Sequence, residues 1–169
     1  WKNTDKMEVY SFLEREGDSM SKNMFEVAVK GAWTSGVQTK INVREFDSFL
    51  IDEPANLGGA DAGPNPVEFV LAGLNGCVSV MVSMIAKEMD FTYSAVDLDT
   101  KGTLDVRGLM GINGITPNFQ TVTLNVTITT DESQERVDEL KEKVESRCPV
   151  MTMIKGSGVA VDGDWIAKQ

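Results

Sequence analysis

The sequence predicts an α+β fold, and three observations carry that reading. Strand-like alternation of apolar and polar residues falls into two groups, one early and one late in the chain. A long uncharged helix separates them. A second, amphipathic helix follows the cleanest strand, so strands and helices segregate rather than alternate. With 169 residues, no internal repeat and no linker, we expect a single domain over residues 1–169, its core from about residue 24 to 161. A chain of this size buries about two thirds of its unfolded surface.

Residues 7–13 give a weak first strand. From Met24 to Trp33, Phe25, Val27 and Val29 alternate with Glu26, Ala28 and Lys30, which predicts a half-buried strand. Ser35-Gly36 supplies a tight connection into a second strand, Gln38 to Phe46, with Ile41 and Val43 inward. Phe49 to Asp52 makes a third, and three strands in succession suggest an antiparallel meander. Asp52 to Pro64, holding Pro54, Gly58, Gly59 and Gly63, is loop by composition, and it leads straight into the long helix.

That helix is signalled by Asn65 as N-cap, Pro66 at the first position and Glu68 three residues after the cap. No residue from Phe69 to Ala86 carries a charge, and apolar residues lie all round, so burial on every side is expected. The run also reaches the lower limit for a membrane span. Gly73, Asn75, Gly76, Ser79 and Ser83 dilute it, however, and no aromatic or basic belt flanks both ends. Ala72, Gly73 and Gly76 leave room beside Cys77 for another backbone to approach.

Beyond the helix, Val96, Leu98, Leu104 and Val106 oppose Asp97, Asp99, Lys101 and Asp105. Gly108, Gly111 and Gly114 mark a loop. Thr121 to Thr130 then alternates cleanly, with Val122, Leu124, Val126 and Ile128 inward. The second helix, expected to be capped by Asp131, presents Val137, Leu140 and Val144 on one face. Cys148-Pro149 ends it, because a residue before proline avoids the α region. Pro149 opens a short helix to Ile154 with Cys148 at its N-cap. Val159 to Val161 reads as a last edge strand, and Trp165 packs the tail.

Sixteen basic against 26 acidic residues give a net charge of −10. Such a chain repels phosphate backbones and anionic lipid, which argues against nucleic-acid and membrane partners. No apolar leader precedes the fold, so a cytoplasmic location is expected. The sequence contains no histidine, which removes Ser-His-Asp triads, Cys-His pairs and imidazole-ligated metals. No cofactor motif and no metal site are expected. What remains is thiol chemistry at the two cysteines, Cys77 and Cys148, or carboxylate acid–base chemistry with no obvious pair.

A thiol of ordinary pKa is only about 3% ionised at pH 7, and the thiolate is the nucleophile. Cys148 has two local activators: the amides of the helix opened by Pro149, and Arg147. Cys77, mid-helix among apolar neighbours, needs help from elsewhere in the fold. On local electrostatics Cys148 is therefore the better thiolate.

Gly63-Pro64-Asn65-Pro66-Val67-Glu68 with Leu71-Ala72-Gly73-Leu74-Asn75-Gly76-Cys77 resembles the central-helix signature of the OsmC/Ohr family. Arg147-Cys148-Pro149-Val150 is similar to its second cysteine motif. Asp52-Glu53-Pro54 and Leu57-Gly58-Gly59 resemble the OsmC-like branch, and the order of elements agrees from about Phe25 to Val161. The resemblance implies antiparallel sheets wrapped around long central helices in an entwined homodimer. It implies a peroxidase for organic hydroperoxides or hydrogen peroxide, with Cys77 as attacking thiol and Cys148 as its disulfide partner. An external dithiol would then reset the pair. A non-catalytic, small-molecule-binding or redox-sensing dimer is the alternative.

Two departures bear on that expectation. The catalytic members hold a glutamate at the position of Val67, whereas here Glu68 stands one place on, a rotation of about 100° around the helix. They also hold an arginine over the thiolate. Between Glu45 and Gly76 there is no lysine or arginine, so Arg44, on the second strand, is the nearest candidate, and Gln38 could offer only a neutral amide. Met81, Met84, Met151 and Met153 could line an apolar pocket or simply fill the core.

Overall fold

The computed structural model describes residues 23–169, in two compact units that divide between Gly63 and Pro64. The weak strand expected at residues 7–13 lies outside the described residues.

The described part of the first unit is a three-stranded antiparallel meander: β1 (Lys30–Ser35), β2 (Gln38–Asn42) and β3 (Phe49–Ile51). Ser35 pairs with Gln38 across a two-residue turn, in which Gly36 takes φ +53°, a left-handed conformation that glycine adopts without strain. The strand starts later than its alternation suggests. Met24 to Val29 is not strand, and Phe25, Val27 and Val29 are exposed rather than half-buried. Alternation marks which residues want cover; it does not supply the pairing partner. Trp33 on β1 is 71% exposed, so this sheet buries little within one chain.

Asp52 organises the loop that follows. Its carboxylate is 1% exposed and accepts from the backbone N–H of Glu53 (2.9 Å), Ala60 (3.1 Å) and Ala62 (3.1 Å), and from the Gln38 amide at 3.4 Å. Burial pushes its pKa up, but the amides of Ala62, Glu53 and Ala60 and the Gln38 side chain outweigh that and hold it below the ordinary value. Gly59 makes the ring close: a Cβ there would sit 1.7 Å from the Glu53 carbonyl oxygen.

The second unit begins with α1 (Pro66–Glu88), opened by the full capping box. Glu68 N–H donates to Asn65 Oδ1 at 2.9 Å, and Asn65 N–H donates to Glu68 Oε2 at 2.7 Å. Then come β4 (Ala95–Leu104), a short α2 (Val106–Leu109), β5 (Phe119–Thr129), α3 (Gln134–Arg147), α4 (Pro149–Gly156), β6 (Val161–Asp162) and β7 (Trp165–Lys168). β4 and β5 are antiparallel; β6 and β7 both pair with β5 in parallel.

One core lies between this sheet and its helices. Val122, Leu124, Val126 and Ile128 of β5 meet Leu74, Val78, Val82 and Ile85 of α1 and Val137, Leu140 and Val144 of α3. Each such side chain contributes about 1.5–3 kcal/mol on burial.

Several expectations change. Val106 opens α2 and is exposed, because Asp105 caps that turn by accepting from the Arg107 N–H. Ser133, not Asp131, caps α3. The last strands are parallel additions to β5, a long-range pairing that no local pattern announces. Finally, α1 is not buried on every side in this chain. Leu74, Val78, Met81, Val82, Ile85 and Ala86 are buried, but Val70 and Met84 are well exposed and Val80 is 57% exposed. The helix is long and apolar enough to cross a membrane by length and composition, yet one face is the core of this unit.

Candidate thiol site

Cys77 comes from the fourth turn of α1, and Cys148 from the joint between α3 and α4. That joint is tight. Cys148 N–H closes α3 on Val144 O at 2.9 Å, while Cys148 C=O opens α4 by accepting from Thr152 N–H, also at 2.9 Å. One residue thus ends one helix and caps the next, as the Cys148-Pro149 step predicts. Its extended backbone (φ −73°, ψ 113°) turns the chain there.

The two sulfurs meet. Cys77 and the backbone N–H groups of Met151 and Val150 are close enough to act on the Cys148 thiol. Cys148 is fully buried; Cys77 is half-buried, packed on the core from one side. On the open side, a Cβ on Gly73 or Gly76 would find nothing within 4 Å.

The electrostatic expectation for Cys148 fails. Burial pushes the Cys148 thiol up to about 11, because desolvation, with the neighbouring Cys77, exceeds the help from the Met151 and Val150 amides. The amides are legible in Pro149-Val150-Met151, whereas the burial depends on distant partners. Cys148 is held as a proton-bearing thiol, and Cys77 is the sulfur that a reagent can reach.

Arg147 does not serve Cys148 in the expected way. It reaches Glu88, the last residue of α1, with two nitrogens, at 2.5 and 3.0 Å. This pair was not anticipated. A signal did exist: an acid at a helix C-terminus opposes the negative end of the macrodipole and calls for a cation. A second unforeseen contact runs from Thr100 on β4, whose Oγ1 donates to Asn75 Oδ1 beside the thiol turn.

The other expected site residues lie as follows. The Glu68 carboxylate is on the Asn65 N–H. Arg44 follows β2 rather than lying on it, in a left-handed conformation (φ +47°), with its guanidinium 4.7 Å from the Phe46 ring centre. Gln38 serves Asp52. Met81 and Met151 are core residues, whereas Met84 and Met153 are exposed. Among the described residues no cluster of three or more His, Cys, Asp or Glu could hold a metal ion.

A sequence-family profile described as OsmC-like protein matches residues 58–162, and no curated protein matches the sequence. The fold is similar to an OsmC-like protein from Mycoplasma pneumoniae (TM-score 0.74, 16% identity, covering 86% of this chain and 99% of that one). It is also similar to an organic hydroperoxide resistance protein OsmC from Legionella pneumophila (0.65, 19%, 86% and 98%). A third likeness is to an organic hydroperoxide resistance protein of Bacillus subtilis (0.59, 22%, 85% and 98%).

Proposed function

The chain belongs to the OsmC-like family, and on that footing we propose that it is a thiol-dependent peroxidase, a cytoplasmic homodimer acting on organic hydroperoxides or hydrogen peroxide. The observation that carries this reading is the contact between a reachable Cys77 and a buried, protonated Cys148.

The chemistry runs in three steps. The Cys77 thiolate attacks the terminal peroxide oxygen, an S–O bond forms as the O–O bond breaks, and the departing alkoxide (or hydroxide) takes a proton from water. Cys77 becomes a sulfenic acid. The Cys148 sulfur then attacks the Cys77 sulfur, its proton leaves with the hydroxyl as water, and a disulfide forms. An external dithiol returns both thiols and is itself oxidised. The Met151 and Val150 amides stabilise Cys148 as it loses its proton. No metal or organic cofactor enters these steps.

The homodimer is supported by apolar surface that one chain leaves open: Val70, Val80 and Met84 on α1, and Trp33 on β1. Exposed large apolar residues on each unit are what a second copy would cover. In the proposed dimer a second copy covers them, and the activating cation for Cys77 (Arg44 being the proposed residue) comes into place. Glu68 is proposed to act at the site only to the extent that the cap releases it.

The deciding experiment measures loss of cumene hydroperoxide with a dithiol reductant for the intact protein and for Cys77→Ser. Turnover that persists in Cys77→Ser overturns the mechanism. Reversible disulfide formation without sustained turnover replaces the peroxidase reading with a redox sensor.

A further inference from the structure

Cys77 and Glu88 lie along one line of α1: the step from 77 to 88 is about three full turns, about 16 Å of axis, with an angular offset of about 20°. Residues 147 and 148, neighbours in sequence, each make contact with one end of that line. Cys148 meets Cys77, and Arg147 grips Glu88 through two nitrogens.

We propose that the Glu88–Arg147 pair is a positioning device for the two thiols, fixing the α3–α4 joint along α1 so that the Cys148 sulfur is held against Cys77. The inference rests on the reading of these cysteines as a redox pair and deepens it. Three observations combine. The pair joins the last residue of α1 to the last residue of α3, so it links the two helices at their ends. Its fork is bidentate, which fixes direction as well as distance. Glu88 also sits where the helix dipole disfavours an acid, and the guanidinium offsets that, lowering the Glu88 pKa.

Both side chains are about two fifths exposed, and such pairs contribute little to global stability. Their leverage here is local. The joint has no spare residue between its helices, so a change in the angle of Arg147 passes directly to Cys148.

The test equilibrates the reduced protein with glutathione buffers and reads the Cys77–Cys148 disulfide by mass after alkylation. For Glu88→Gln and Arg147→Gln we expect the equilibrium constant for disulfide formation to fall about fivefold, about 20 mV. The double variant should fall no further than either single, because the two residues act as one unit. Arg147→Lys, which keeps the charge but not the fork, should lie between. High salt should move the intact protein toward the variants and leave the variants unchanged.

A second readout is the rate of iodoacetamide modification of Cys148 in the native reduced protein, expected to rise about fivefold in each single variant. Folded variants with both quantities unchanged, or additive effects in the double variant, overturn the proposal. If the intact protein forms no disulfide, the redox reading falls, and the Cys148 modification rate alone decides whether the pair positions that sulfur.

Discussion

Thr100 Oγ1 donates a hydrogen bond to Asn75 Oδ1, which pins the centre of α1 to the inner face of β4 just before Cys77. Because both groups are partly buried, losing one partner leaves the other without its bond. Thr100→Val is expected to cost about 1 kcal/mol in urea denaturation. Thr100→Val combined with Asn75→Leu should cost little more than either alone. Full additivity would mean that the pair is not coupled.

Glu68 offers a clean separation of roles. Its carboxylate closes the capping box with Asn65, so Asn65→Ala should lose about 1 kcal/mol. Glu68→Gln, which keeps the geometry of the box, should lose less. If the cap is its whole function, Glu68→Gln leaves peroxide turnover unchanged. Turnover lost at unchanged stability would place that carboxylate at the thiol.

Cys148 gives an alkaline signature. Its thiol is raised in the folded state from the ordinary 9.0 to about 11. The stabilisation is therefore fully present below about pH 9 and is lost as pH rises toward about 11, with a slope of at most about 1.4 kcal/mol per pH unit. Chemical denaturation across that window should show this slope in the reduced protein and not in Cys148→Val. Native alkylation at pH 8 should label Cys77 first and reach Cys148 only slowly.

Asp52 gives the acid counterpart. With its pKa held below the ordinary 3.8, its contribution is present above that value and is lost as pH falls through the folded one. Asp52→Ala leaves the N–H groups of Glu53, Ala60 and Ala62 without their acceptor, so limited proteolysis should cut between residues 53 and 62. Gly59→Ala should open the same loop at neutral pH, since its Cβ has no room beside Glu53.

Local signals were the legible ones. Asn65, Pro66 and Glu68 announce the start of α1, Pro149 announces α4, and the Val122–Ile128 alternation announces β5, because each is decided within a few residues. What sequence could not give depends on distant partners. β6 and β7 pair in parallel with a strand far upstream, and Arg147 finds an acid on another helix. Cys148 shows the same limit. Its helix amides were visible in Pro149-Val150-Met151, but the burial that outweighs them comes from α1 and the sheet.

The segment between the two cysteines contains β4, β5 and α3, most of what fills the interior of the second unit. The proposed disulfide would close a ring around that material, and a ring of this length would restrict the unfolded chain by about 4 kcal/mol on the chain-entropy account. Under that proposal, oxidation state and heat resistance would be two faces of one event. A melting curve taken with and without reductant reports on the chemistry, with no substrate in the tube.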